Sequence, residues 1–196
     1  MLLSELKEGQ LFKLAGYEWV VLEHNPNNQS TLVVTKECVE HKCFDKDGSN
    51  DFRNSSIRKY LNMDFLNGLI IEGLDRDHIM FTDFDLTNDE GKNVYGFCRD
   101  KIGLLTLEQY KKYKRYLKLD DWLWLITPNS GSSYSVRGVY PSGSLYYYSA
   151  FLGYVGVLPA LNLKSDILVS ESKNTVLESY SNEELLQELL RREVKR

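Results

Sequence analysis

Residues 122–163 read WLWLITPNSGSSYSVRGVYPSGSLYYYSAFLGYVGVLPALNL. The stretch begins and ends as apolar strand, Trp122 to Ile126 and Val157 to Leu163, and changes character in between. From Asn129 to Val157 there are 29 residues; 18 of them are Tyr, Ser or Gly, and Arg137 is the only charged one. Since 27% of the whole chain is charged, this window is not an ordinary solvated loop. Tyr supplies large, stiff, amphipathic contact area, while Ser and Gly supply adaptable hydrogen bonding. The composition predicts a binding surface held between two core strands. Its candidate contact residues are Tyr134, Arg137, Tyr140, Tyr146, Tyr147, Tyr148, Phe151 and Tyr154. Strand alternation from Leu145 places Tyr146 and Tyr148 on one face and Tyr147 on the other.

Around that stretch, 196 residues at 42% hydrophobic content are enough to bury one sizeable core. A net charge of -4 favours no polyanion in bulk, so a nucleic-acid contact needs a local basic patch. No apolar run approaches the roughly 20 residues that span a bilayer, so no membrane association is expected. The opening MLLSELKEGQ carries acidic residues where a signal peptide needs a basic start and a long apolar run. Three cysteines in no regular framework fit a reducing compartment. The expected location is therefore the cytoplasm.

Taken in order, Gly9 to Leu22 reads as a strand pair turning at Ala15-Gly16, and Thr31 to Thr35 as a third strand after an Asn-Pro-Asn-Asn turn. Cys38 to Asn54 is polar and irregular. A helix is predicted from Asn54 or Ser55, with Ile57, Tyr60, Leu61 and Phe65 at helical spacing and Gly68 ending it. His78 to Phe81 is a short strand, and Thr82 to Gly103 reads as a long polar connection. Thr106 with Gln109 forms a capping-box pattern opening a helix through about Leu117, with Leu107, Tyr110, Tyr113 and Leu117 inward. After residue 165 the chain reads as a Ser-rich linker over 166–180. A helix over 181–196 follows, whose stripe of Leu185, Leu186, Leu189 and Leu190 either packs back or pairs two copies into a homodimer.

Several pieces resemble a bacterial and phage family of unknown function. Ser55-Ser56-Ile57-Arg58-Lys59-Tyr60-Leu61-Asn62 followed by Phe65 is similar to its S-x-I-R-x-W/Y-L-N-x-x-F helix. Leu104 to Tyr110 is similar to its L-L-S-x-x-E-Y segment, Trp124 to Pro128 to W-L-R-S-P, and Gly156 to Leu161 to G-V-R-P-A-L. The resemblance covers roughly residues 9 to 165, and Trp19-Val20-Val21-Leu22 also fits. It implies an α+β, C-type-lectin-like fold akin to formylglycine-generating enzymes: an antiparallel sheet with two packed helices over residues 1–165. In such folds the segment before the last core strand carries the ligand surface. Two family arginines are replaced here by Ile126 and Leu158, and their joint loss predicts that these positions are neighbours.

Other chemistries are weaker. Cys38-x-x-His41-x-Cys43 with the distant Cys98 offers soft zinc ligands, but the spacing is not a standard knuckle and ordinary thiols are the simpler reading. Asp45 to Asp51 looks calcium-like, yet Gly48 stands fourth rather than sixth and no Glu stands twelfth. The basic row Lys111, Lys112, Lys114, Arg115 and Lys118 reads as a solvated helix face. No nucleophile, base or acid pair can be nominated, so no enzyme and no cofactor is expected. The leading expectation is a non-catalytic protein-binding module of phage or mobile-element origin, blocking a host defence factor. The alternatives are a virion adhesin, nucleic-acid contact through the Lys111–Lys118 helix, and an enzyme of unrecognised type.

Overall fold

Trp19-Val20-Val21-Leu22 is continuously apolar rather than alternating, because both faces of its strand are covered in the computed structural model, which describes residues 1–172. Trp19 and Val21 point into one core, and Val20 and Leu22 into a second. The sheet containing them runs β14 (Ser170–Glu171), β1 (Leu11–Leu14), β2 (Tyr17–Asn25), β3 (Ser30–Thr35), β13 (Ala160–Lys164), β5 (Ile79–Met80), with β8 (Ile102–Gly103) also paired to β13. A second sheet runs β11 (Leu145–Ser149), β10 (Ser135–Val139), β9 (Leu123–Pro128), β12 (Gly156–Val157), β4 (Glu40–His41). The same two-faced burial recurs in β9: Trp124 and Ile126 enter the first core, Leu123 and Leu125 the second. The architecture is mixed α+β and mostly sheet.

The hairpin between β1 and β2 turns on two residues with positive φ, Ala15 at 48° and Gly16 at 78°. That is the backbone a two-residue hairpin of this hand requires. Ser55 opens the first helical stretch by accepting the Arg58 N–H at 3.2 Å. The stretch comprises α1 (Ser56–Tyr60), a π turn over Leu61–Phe65 and α2 (Leu66–Ile71), burying Ile57, Leu61, Phe65, Leu66 and Leu69 in the first core. It does not end at Gly68, which lies inside α2. Gly73, at φ 95°, ends it instead: the Gly73 N–H donates to Ile70 O and the Leu74 N–H to Leu69 O, both at 3.0 Å. Two residues of the S-x-I-R-x-Y-L-N pattern acquire a physical role here. Arg58 Nε donates to Asp100 Oδ2 at 2.7 Å, and one turn on Asn62 pairs with Ile102 N–H at 3.0 Å and Ile102 O at 2.8 Å, as a strand would.

Residues 82–100 are not a polar connection. They form a hairpin of β6 (Thr82–Thr87) and β7 (Asn93–Asp100), in which Phe84 and Leu86 bury while Asp83 and Asp85 face out. The alternation was present in the sequence but diluted by charge. The third helix, α3 (Leu107–Tyr113), lies over the second core with Leu107, Tyr110 and Tyr113 buried. Thr106 Oγ1 accepts the Gln109 N–H at 3.1 Å and Gln109 Oε1 accepts the Thr106 N–H at 3.0 Å. Thr106→Ala is expected to cost about 1 kcal/mol, read as a lowered urea midpoint with unchanged slope.

Two sequence expectations are corrected. Ile126 lies in the first core and Leu158 in the second, so they are not exchanged neighbours; each was independently accommodated as an apolar residue. Residues 166–172, read as the start of a linker, continue the fold: Ile167 and Val169 are buried and Ser170–Glu171 pairs with β1. The predicted helix over 181–196, with Leu185, Leu186, Leu189 and Leu190, lies outside the described residues. Among the described residues no helix is long and apolar enough to cross a membrane.

Candidate functional site

The Tyr/Ser/Gly stretch folds as the outer half of the second sheet: β10, a tight turn at Pro141–Ser144, and β11 on the edge. A buried side chain from elsewhere sets its entry. Asn50, 2% exposed, donates from Nδ2 to Asn129 O at 3.3 Å, Ser132 O at 2.9 Å and Ser135 O at 3.0 Å. Its Oδ1 accepts the Tyr95 hydroxyl at 2.7 Å. Asn50 sits in the segment with calcium-like spacing, but the carboxylate there serves the turn. Asp45 is buried and accepts the Ser56 N–H at 3.0 Å and the Ser49 N–H at 3.1 Å.

From the core outward the aromatic rings form a graded series. Trp124 is buried, its Nε1 donating to Lys42 O at 2.8 Å, and it meets Tyr148 edge-on at 5.8 Å. Tyr148 stacks on Trp122 at 5.5 Å and 16°. Trp122 in turn meets Tyr140 at 5.1 Å and Tyr154 at 5.5 Å, both edge-on. Tyr146 packs on Tyr140 at 5.2 Å and lies parallel to Tyr147 at 5.0 Å. A separate pair, Tyr134 and Phe151, flanks Gly48, where an added methyl group would lie 3.9 and 3.7 Å from the two rings. Exposure follows this order: Tyr134 66%, Phe151 61%, Tyr154 54%, Tyr147 48% and Tyr146 44%, against 4% for Tyr148.

Five of the eight predicted contact residues are therefore outward, and three are corrected. Tyr148 is core: burial raises its phenol pKa strongly, and among the described residues its hydroxyl has no hydrogen-bond partner. Tyr140 is half-buried beneath Tyr146. Arg137 is turned to Asp89 at 3.6 Å, in a pair whose side chains are 18% and 14% exposed. Asp89 also accepts the Ser130 N–H at 2.7 Å, so this ion pair ties the β6–β7 tip to the loop and draws the one charged side chain of the stretch away from solvent. The close packing needs Gly138: a side chain there would strike the Tyr148 ring and lie 2.8 Å from Leu123 O. Gly138→Ala is expected to cost about 1–3 kcal/mol, read as a lowered thermal midpoint.

The backbone of β11 adds a second feature. The Tyr140 N–H donates to Ser144 O at 2.9 Å and the Ala150 N–H to Tyr134 O at 2.8 Å. Hydrogen-bonded pairs recur every second residue in an antiparallel ladder, so Tyr146 and Tyr148 use their backbone groups toward β10 while Leu145 and Tyr147 point theirs outward. Among the described residues β11 pairs only with β10.

The basic row of the third helix is largely neutralised. Lys111 pairs with Glu108 at 2.8 Å, Lys112 with Glu23 at 2.6 Å and Lys118 with Asp120 at 2.9 Å; Arg115 reaches Glu8 at 3.9 Å. Glu23 is held below the usual carboxylate range by the Lys112 ammonium and then by the Tyr113 hydroxyl. The crevice under that helix is lined by leucines, and its Tyr110 hydroxyl is already donated to Gly143 O at 2.8 Å.

Of the four residues offered as zinc ligands, Cys38 and His41 come together, whereas Cys43 and Cys98 do not join them. Cys98 is buried in the first core opposite Phe84. Asp121 takes their place, its Oδ2 against His41 Nε2. No sequence spacing could have found it, because Asp121 lies 80 residues from His41.

No family model, curated protein or solved structure matches this chain.

Proposed function

We propose that this chain is a non-catalytic protein-binding module that engages its partner through Tyr134, Tyr146, Tyr147, Phe151 and Tyr154. The observation that carries the reading is a set of five large aromatic side chains, 44–66% exposed, on a surface whose one cation is withdrawn into an ion pair. Scattered exposed apolar residues are ordinary, but Tyr146, Tyr147 and Tyr154 rest on a stacked aromatic foundation, which has the make-up of an interface hot spot. The Asn50 anchor and the Trp122–Tyr148 stack hold it in place before binding, which lowers the ordering cost of association. The outward backbone groups of Leu145 and Tyr147 offer a partner strand hydrogen bonds beside the rings.

The C-type-lectin-like fold, and with it a phage or mobile-element origin, belongs to this proposal and rests on the motif resemblance. The partner is then a host protein, a defence factor inside the cell in one version and a surface receptor met by a virion in the other. Nucleic acid fits less well, because the basic row is paired with carboxylates. Catalysis fits less well because the leucine-lined crevice gathers no convergent titratable groups. Affinity capture from bacterial host lysate, with Tyr146→Ala/Tyr147→Ala as the control, tests the reading. A protein retained by the wild type and lost by the variant supports it; identical retention by both sinks it. Tyr148 is unsuitable for that control, since its removal perturbs the core.

A further inference from the structure

The geometry points to a metal site at the opposite end of the second sheet: we propose that Cys38, His41 and Asp121 bind one zinc ion, with a fourth position open to solvent. Their donor atoms, one thiol sulfur, one imidazole nitrogen and one carboxylate oxygen, all lie within 4.8 Å of one another. Tetrahedral zinc holds such donors at about 2.0–2.3 Å, which sets them roughly 3.3–3.8 Å apart. To take an ion, the His41 and Asp121 donors, now in direct hydrogen-bond contact, separate by a side-chain adjustment while Cys38 stays within reach. A mixed sulfur, nitrogen and oxygen set suits zinc better than magnesium or calcium, which take oxygen ligands.

The fold explains how residues so distant in sequence meet. Gly156 of β12 pairs with His41 of β4 on one side and with Leu123 of β9 on the other. His41 and the start of β9 are thus brought to the same end of the sheet, separated only by a residue without a side chain. A methyl group at Gly156 would fall 2.7 Å from Cys38 Sγ and 3.0 Å from Trp122 O, so the thiol lies over bare backbone. Asp121 is oriented by its other oxygen: Oδ1 accepts the Trp122 N–H at 2.7 Å, while Oδ2 is engaged with His41 Nε2, a contact that a metal ion would replace. The bond from Trp122 is the supporting hydrogen bond a metal-ligating carboxylate ordinarily has. The His41 and Asp121 side chains are 49% and 36% exposed, so water reaches the fourth position.

The Cys38 thiol donates to Glu40 O at 3.1 Å, and metal binding replaces that hydrogen bond: Zn²⁺ takes the thiolate as ligand and the thiol proton leaves to solvent. No oxidation or other reagent is involved. The site adjoins Trp122 of the aromatic foundation, but its test needs no partner.

The test uses the purified full chain, freed of metal by chelation under reducing conditions and titrated first with Co²⁺ alone and then with Zn²⁺. The expected result is a thiolate-to-cobalt charge-transfer band that saturates at one equivalent and is bleached by one equivalent of Zn²⁺. Cys43→Ser and Cys98→Ala should keep the band, whereas Cys38→Ser should abolish it. Asp121→Asn retains an acceptor for the Trp122 N–H, and His41→Gln keeps side-chain bulk. Each should weaken zinc binding by more than about tenfold, the loss expected from removing even an outer partner of a metal site. Metal-free circular dichroism matching the wild type would show that these variants fold. No cobalt band in the wild type, or a band that survives Cys38→Ser and is lost in Cys43→Ser, overturns the site. Should Cys38→Ser not fold, unchanged zinc affinity in both Asp121→Asn and His41→Gln overturns it equally.

Discussion

Tyr148→Ala is expected to destabilise the protein by about 3–5 kcal/mol, a large share of the stability of an ordinary domain. The ring is 4% exposed and touches Trp122, Trp124 and Tyr140, so truncation opens a cavity between two tryptophans that nothing nearby can fill. Tyr148→Phe should do the reverse. Among the described residues the buried hydroxyl has no partner, so deleting the oxygen alone keeps the packing and removes a desolvation cost, raising stability by about 1 kcal/mol. The same change should flatten the alkaline limb of the stability curve. Burial raises the Tyr148 pKa above its unfolded value, so its contribution is complete below about pH 10 and is lost as pH climbs through the raised folded-state value. Phe has no proton to lose, although other buried tyrosines keep part of the alkaline sensitivity. Urea denaturation of the three proteins at neutral and alkaline pH measures all of this. A Tyr148→Ala protein as stable as the wild type would mean that the stacked foundation is not a foundation.

Tyr146→Ala with Tyr147→Ala is expected to behave oppositely, leaving the fold and removing the partner. The two rings are parallel at 5.0 Å and both about half exposed, so their mutual packing contributes about 0.5–1.5 kcal/mol to the fold. At an interface, central aromatic anchors of this type cost about 2 kcal/mol or more each when truncated. Affinity for the captured partner should therefore fall by at least about thirtyfold for each ring if both are central. Titration calorimetry with that partner, beside a thermal melt of the free variant, separates the two effects. A melt lowered by more than a few degrees together with unchanged affinity would place these rings in the fold rather than the interface.

Much of the framework was legible because its signals are local. The Thr106–Gln109 capping box, the Ser55 cap and the turn at Ala15-Gly16 each act within four residues, and each is found where the sequence puts it. What escaped depends on contacts between distant residues. The β6–β7 hairpin was hidden because Asp83 and Asp85 fill its outer face, so a clear alternation of burial reads as a polar run. The division of the aromatic stretch was only half readable. Alternation grouped Tyr146 with Tyr148, whose rings do meet, but the Tyr147 ring, expected on the other face, lies parallel to Tyr146, and how far each ring lies from the core is set by Trp122, Trp124 and Gly138 across the sheet. Asn50 and Asp121 carried no signal at all, since each works on residues tens of positions away.

The Asn50 side chain bonds only main-chain carbonyls of the loop, at residues 129, 132 and 135. That anchor therefore holds the path of the loop without calling on the side chains of Ser130, Ser133 or Tyr134. New chemistry at those positions can be displayed without moving the scaffold beneath it. Selection could thus rewrite the face this protein shows to the world while inheriting its architecture unchanged.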